Sequence, residues 1–263
     1  LKQSFRHNFN ISYNSYNVLK EKNIWTNLSV NTTQHAFVQF SSINVSGKRT
    51  YQTVNADGPY NINFYSDYGF KINDSRWHLG FGPNGNWNRN IDFVRDETSN
   101  VTTRNVTNTN SYGLRINVNQ YVPDKYNFYI GPNFTYNHSK SSVNKAADVD
   151  YWQLEAWASG SVTISGKANL DLGSDVNAQI RQRDPRFPQN NNYVTWNANI
   201  TKRLFKNVWE VRLSVNDILN QNVGYQRNFN SYSYTETSYN TLKRFWLLSL
   251  IWNFKKNGAP AKF

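Results

Sequence analysis

The stretch TLKRFWLLSLIWNF, residues 241–254, decides how the chain is read. Its even positions Trp246, Leu248, Leu250, Trp252 and Phe254 form one unbroken apolar row ending in aromatic rings. The odd positions Phe245, Leu247, Ser249, Ile251 and Asn253 are mixed and end polar. A two-residue period of this kind marks a β-strand with two unlike faces. The apolar run is too short for a membrane-crossing helix, which needs about 20 residues. It suits a membrane-crossing strand of about 9–11 residues. Alone, it would serve equally as a buried strand of a soluble β-sandwich.

The same period recurs outward along the chain. Trp209, Val211, Leu213 and Val215 make the preceding stripe, and Val194, Trp196, Ala198 and Ile200 the one before. Further stripes run over Leu170–Ile180, Trp152–Ile164, Tyr126–Tyr136 and Tyr112–Val118. Trp77–Phe93 is a long stripe, and Pro83 within it, like Pro132 later, demands an unpaired slot or bulge. Continuous strands are expected over Ile24–Ser42 and from the Gly47-Lys48-Arg49 tip to Ile72, with a first strand at Phe5–Tyr13. Connections alternate between short turns (73–76, 122–125, 165–168, 204–207) and longer polar loops (43–50, 96–105, 139–147, 183–192). Aromatic residues crowd the turn-side ends. Phe70, Trp77, Tyr126, Trp209, Trp246, Trp252 and Phe254 are the expected membrane girdle. Short turns, long loops and aromatic belts together predict an all-β fold, an antiparallel up-and-down transmembrane β-barrel. Residues 1–254 supply about eleven strands, and 255–263 a short basic tail. Single-chain bacterial barrels hold even numbers of strands, so an odd count predicts a portion of a larger barrel.

Composition narrows the function. The chain of 263 residues is 16% aromatic and 17% charged, with a mean hydropathy of −0.75. A disordered chain would lack those rings, and a helical membrane protein would be far more apolar. With no Cys there is no disulfide frame, thiol nucleophile or Cys-based zinc site. The absence of Met, with a start already in an alternating pattern, predicts a processed or truncated piece. The net charge of +12 is dispersed and accompanied by no nucleic-acid-binding module, so nucleic acid is not an expected partner.

No catalytic constellation emerges, and the expectation is a non-enzyme without cofactor. His7, His35, His78 and His138 lie far apart without metal-ligand spacing. Asp148, Asp150 and Glu155 read as solvated loop and lumen charges. The informative set is the face opposite the apolar stripes. By parity it holds Arg115, Asn117, Glu155, Asp171, Asp175, Arg181, Asn199, Thr201, Arg203, Glu210 and Arg212, the lumen-facing candidates. If Ile200 faces Val211 across the tight turn, Thr201 opposes Glu210 and Asn199 opposes Arg212. Arg183, Arg186, Phe187, Tyr225, Arg227 and Tyr232 are outer-loop candidates for gripping a ligand by stacking and charge.

The segments LSVNDILNQNVGYQRNF (213–229) and TLKRFWLLSLIWNF (241–254) resemble the C-terminal end of the outer membrane protein β-barrel family. VNADGPYNINFYSDYGF (54–70) and YVTWNANITKRLF (193–205) share the likeness. These are TonB-dependent-receptor-like proteins of Bacteroidota. The resemblance implies a barrel of about 22 strands, closed by an N-terminal plug and energised through TonB. Neither plug nor TonB box is in this sequence, so what carries over is the C-terminal half of the wall. The implied partners are outer-membrane lipid and lipopolysaccharide, the plug, TonB through it, and the barrel-assembly machinery of a Gram-negative cell. Phe254, or Phe263 in the tail, would be the terminal aromatic that this machinery recognises. Two other readings stay open: a self-contained outer-membrane pore or structural barrel, and a soluble secreted glycan-binding β-protein.

Overall fold

A computed structural model describes residues 1–73, 75–96, 100–145, 148–164, 168–186, 192–205, 208–229 and 234–254. The tail with Phe263, and Phe187 and Tyr232, lie outside the described residues. Among the described residues the chain is built of β-strands. The first five are β1 (Phe5–Asn17), β2 (Lys22–Gln34), β3 (Ala36–Ile43), β4 (Arg49–Ala56) and β5 (Tyr60–Lys71). Next come β6 (Trp77–Asp96), β7 (Val101–Val122), β8 (Tyr126–Ser141), β9 (Val149–Ile164) and β10 (Leu170–Arg181). The last are β11 (Tyr193–Leu204), β12 (Trp209–Asn216), β13 (Tyr225–Phe229), β14 (Tyr234–Ser238) and β15 (Phe245–Trp252).

One antiparallel path of eleven strands runs β1-β2-β5-β6-β7-β8-β9-β10-β11-β12-β15, which matches the expected strand number. Among the described residues β1 and β15 are each paired on one side only, so the sheet is not closed and has two edges. The connections β1–β2, β5–β6, β7–β8, β9–β10 and β11–β12 gather at one end of the sheet, the turn end; β6–β7, β8–β9, β10–β11 and β12–β15 connect at the other, the loop end, and of these β6–β7 is as short as the turns.

Alternation sorts the two faces as read from the sequence. Across β12 and β15, Trp209 pairs with Trp252, Val211 with Leu250, and Leu213 with Leu248. On the other face Glu210 pairs with Ile251 and Arg212 with Ser249. The apolar face is bare: Trp246 is 66%, Leu248 70% and Leu250 65% exposed. A soluble sandwich would cover such a face with a second sheet, and the other sheet described is only the β13–β14 hairpin. Rings mark both ends of the apolar face. At the turn end Trp209 stacks on Trp252 at 5.5 Å, Trp252 touches Phe254 at 5.2 Å, and Trp77 meets Phe128 edge-on at 5.9 Å. At the loop end Trp87 meets Tyr112 at 5.7 Å and Tyr136 meets Trp152 at 4.9 Å. Trp246, at the opposite end of β15 from Trp252, belongs to this upper belt.

Both prolines sit where the ladder skips. The β5–β6 ladder is interrupted between Tyr65↔Asn84 and Tyr68↔Phe81, beside Pro83, and resumes in the same register. The β7–β8 ladder is likewise interrupted between Arg115↔Asn133 and Val118↔Ile130, beside Pro132, with the register kept. In the first gap a Cβ on Gly82 would lie 2.2 Å from the Ser66 carbonyl oxygen, so only glycine permits the approach.

Five sequence expectations need correction. The tight turn after β11 is longer by two residues than the expected one: Leu204 pairs with Trp209, and Phe205 takes φ 51°. Thr201 therefore opposes Arg212, Arg203 opposes Glu210 and Asn199 opposes Ser214, a slip of two that keeps every residue on its assigned face. The strand expected over Ile24–Ser42 breaks at His35 (φ 50°), and the one from residue 50 to Ile72 breaks at Gly58 (φ 107°). Below this joint β5 pairs with β6; above it β3 takes that edge, running parallel with Phe40 opposite Phe93. The ribbon β2–β5 thus continues as β3–β4 after exchanging which strand faces β6. The backbone N–H of His35 donates to Asp57 Oδ1 at 2.6 Å and fastens the joint.

The supposed loop 96–105 is largely strand, because β6 and β7 extend far past the belt. The supposed loop 139–147 likewise begins as strand, since β8 runs on to Ser141. Beyond the membrane a strand has no apolar face to show, so alternation gave no signal. Asn105, inside that supposed loop, is fully buried. Its Oδ1 accepts from Ser141 Oγ at 2.8 Å and from the Val143 amide at 3.2 Å, tying the β8–β9 connection to β7. Buried residues recur in this region, with Ser41, Asp92, Ser141 and Ile91, where β3 joins the edge of β6 and the β8–β9 connection bonds to Asn105.

Candidate functional site

All eleven lumen-facing candidates lie on the polar face, as their parity required. They fall into groups at different heights. At the turn end Asp171, Asn199, Thr201, Arg203, Glu210 and Arg212 line one recess of about 230 Å³. The Arg203 guanidinium reaches Asp171 Oδ2 at 2.6 Å, and Thr163 Oγ1 donates to Asp171 Oδ1 at 2.8 Å. Arg212 Nε donates to Thr201 Oγ1 at 3.1 Å, and Asn253 Nδ2 to Glu210 Oε1 at 3.2 Å. Thr201 is buried beneath them. Facing strands place opposite charges side by side, so these groups find partners on the wall itself while Arg203 also meets solvent.

At the same end, further along the sheet, Lys71 Nζ donates to Glu21 Oε1 at 2.6 Å and His78 Nε2 lies 3.3 Å from Glu21 Oε2. Glu21 sits in the β1–β2 turn with φ 44°. The hydrogen bond from Lys71, helped by that to His78 and against some desolvation, holds the Glu21 carboxyl below its ordinary 4.5.

Mid-sheet, Arg115 Nη1 donates to the Tyr65 hydroxyl at 3.0 Å and its guanidinium lies 5.2 Å from that ring's centre. Asn117 Nδ2 donates to Asp67 Oδ2 at 3.3 Å, and Trp25 packs on Tyr65 at 4.9 Å. Glu155 Oε1 accepts from Gln153 Nε2 at 2.6 Å. Trp25, Tyr65 and Asp67 were overlooked in the sequence, although the parity of β2 and β5 puts them on this face.

At the loop end a recess of about 840 Å³ opens beside β10, β11, β12 and the start of β15. Asn177, Gln179, Arg181, Tyr193 and Phe245 line its wall, with Tyr225, Gln226 and Tyr239 added from the β13–β14 hairpin. Arg181 lies over the Tyr151 ring at 3.5 Å. A second recess of about 360 Å³ continues from Asn177, Gln179 and Tyr193 to Arg115, Glu155 and Trp157. Trp157 packs on Tyr129 at 4.9 Å. Tyr193, Trp157, Gln179 and Asn177 were also missed, since attention to charge passed over uncharged residues of the right parity.

The Asn-Asp-Ile-Leu-Asn element forms the floor of the larger recess. Asp217 is 4% exposed, with φ 52°, a conformation that Asp and Asn tolerate better than most. Its carboxylate accepts from the Gln221 and Asn222 amides, both at 2.9 Å. Its own N–H donates to Asn197 Oδ1 at 2.9 Å, and Asn197 Nδ2 donates to Asp175 Oδ2 at 2.7 Å. Asp175, Asn197 and Asp217 therefore form one relay from the wall to the β12–β15 connection.

Of the outer-loop candidates, Arg186 is turned to Asp184 at 2.7 Å, which raises its pKa above the ordinary value. Tyr225 lines the recess and its hydroxyl bonds Glu236. Arg183 lies in the same connection as Arg186, between β10 and β11, and Arg227 is in β13. Among the described residues no three of His, Asp and Glu converge as a metal-binding group.

A one-layer up-and-down sheet with a belted apolar face and a hydrogen-bonded polar face defines the wall of a membrane β-barrel. A model of the outer membrane protein beta-barrel family matches residues 84–252, well over half of the chain, and the chain belongs to that family. Among curated proteins and solved structures nothing matches the chain. The sheet is accordingly the wall of an outer-membrane β-barrel protein.

Proposed function

We propose that the chain forms part of the barrel wall of a plugged, TonB-dependent outer-membrane transporter that takes up a nutrient, without catalysis or cofactor. The supporting observation is the division of the polar face. The turn end carries a mutually paired ionic cluster, Asp171–Arg203 with Thr201, Glu210 and Arg212, suited to seating a second body inside the barrel. The loop end carries recesses of ligand size. A merely hydrated pore has no need of such partition. The two unpaired edges at β1 and β15 support a larger barrel, completed by further strands. The residues from Leu213 to Phe254 that resemble TonB-dependent receptors support the same reading.

The test uses the full-length natural protein in planar bilayers together with the isolated periplasmic domain of TonB. A plugged transporter should show no steady conductance until urea loosens the plug, and should bind that domain. Steady conductance in buffer without binding would overturn the reading in favour of a passive pore.

A further inference from the structure

Alternation assigns the polar face to hydrophilic side chains, yet aromatic rings recur on it beside the loop-end recess. Tyr193 pairs with Gln179, and Phe245 with Asn216, on that face. The hairpin brings Tyr225 and Tyr239 toward the same space. A ring held beside water without being buried forfeits its hydrophobic gain, which a ligand with a matching apolar face would restore. Sugar rings present such faces in their C–H bonds and are rimmed by hydroxyls. Hydroxyls both donate and accept, and so do the amides of Asn177, Gln179 and Gln226.

Charge narrows the class further. Among the described residues the formal charges lining the two recesses are Arg181 and Asp217 in the larger and Arg115 and Glu155 in the smaller, and each pair sums to zero. Asp217 is buried and committed to two backbone amides, and Arg181 lies over Tyr151. A polyanionic ligand would call for several cations in excess of acids. The extension past Tyr193 to Trp157 and Tyr129 makes the space elongated rather than round. We propose that the loop-end recess binds a neutral oligosaccharide, with Tyr193 as a stacking platform between the two recesses and Gln179 as its nearest amide partner. This deepens the uptake reading and rests on it for why the wall holds a ligand.

The full-length natural protein, purified in detergent, is passed over an array carrying neutral oligosaccharides, uronic-acid oligosaccharides and charged peptides. Neutral oligosaccharides should be retained. Tyr193→Ala should weaken the best of them by about tenfold or more, the scale of one lost ring contact, while Tyr193→Phe keeps most binding. Asn86→Ala, on the same face but remote, should change nothing. Folding of each variant is checked by circular dichroism and heat-dependent gel mobility; should Tyr193→Ala fail it, Gln179→Ala carries the test with a smaller loss of binding. Retention of charged ligands alone, retention of nothing, or undiminished binding by the folded variant overturns the proposal. Oligosaccharide binding without TonB contact would break the uptake reading and leave this one standing; the converse would break only this one.

Discussion

The two ends of the polar face solve the same problem differently. Both must carry hydrophilic groups on strands whose other face is apolar. At the turn end charges meet charges: Asp171 with Arg203, and Glu21 with Lys71 and His78. At the loop end charge is scarce, and the buried carboxylate of Asp217 is spent on backbone amides. The amides and rings around it are left to line open space. The difference teaches where stability and where recognition reside. Exposed ion pairs contribute little and are replaceable, whereas a buried carboxylate holding a connection is not. Groups left facing a recess are those available to a ligand.

The largest effect should come from breaking the loop-end anchor. Asp217→Ala strands two backbone donors, the Gln221 and Asn222 amides, while the bond from the Asp217 backbone N–H to Asn197 stays in place. Each buried donor left without a partner costs about 1–3 kcal/mol, so a total loss of about 2–6 kcal/mol is expected. Denaturant midpoints of the refolded full-length protein in detergent measure it. Asp217→Asn should cost less, because Asn keeps an acceptor and tolerates φ 52°. A loss from Asp217→Ala no larger than for a surface residue would show that the carboxylate is not what holds this end together.

The same contrast explains what could be read in advance. Turn-end and mid-sheet residues were placed on the correct face because membrane strands alternate strictly, and Pro83 and Pro132 marked their own gaps. Register was less legible. A two-residue slip between β11 and β12 preserves every face, so hydrophobic pattern cannot detect it, and the conformation of Phe205 decided the turn. The ribbon exchange at His35 and Gly58 was hidden for a similar reason: Thr32↔Tyr60 and Ala36↔Ala56 keep one register across the joint. Only the choice of neighbour changes, and that depends on an edge of β6 distant in sequence. Of the candidate site, the charged residues were found and the amide and aromatic residues were not. A search by charge favours the end where charges pair with each other.

A smaller effect is expected at the turn end. The Arg203–Asp171 pair is short at 2.6 Å, but the arginine side chain is 43% exposed, so solvent screens it. A double-mutant cycle with Arg203→Ala and Asp171→Ala should give a coupling of about 1 kcal/mol or less, falling as salt is raised. A coupling equal to the Asp217 loss would erase the distinction between the two ends.

The smallest effect is a pH dependence at the β1–β2 turn. The hydrogen bond from Lys71 holds Glu21 below its ordinary 4.5, so the folded state prefers the carboxylate more strongly than the unfolded chain does. That preference stabilises the fold above the unfolded value and is lost as pH falls through the lower, folded one. The difference in denaturation midpoint between the natural protein and Glu21→Gln should therefore be constant at neutral pH and shrink in the acid range below 4.5. Because Glu21 and its partners are well exposed, the difference should be small throughout and diminish with salt. A difference that grew toward acid would reverse the sign and mean that Glu21 is held protonated rather than ionised. One indifferent to both pH and salt would mean that the turn is fixed by its backbone, with φ 44° at Glu21 and the Glu21 carbonyl accepting from the Lys71 amide at 3.3 Å. The charges would then be incidental to it.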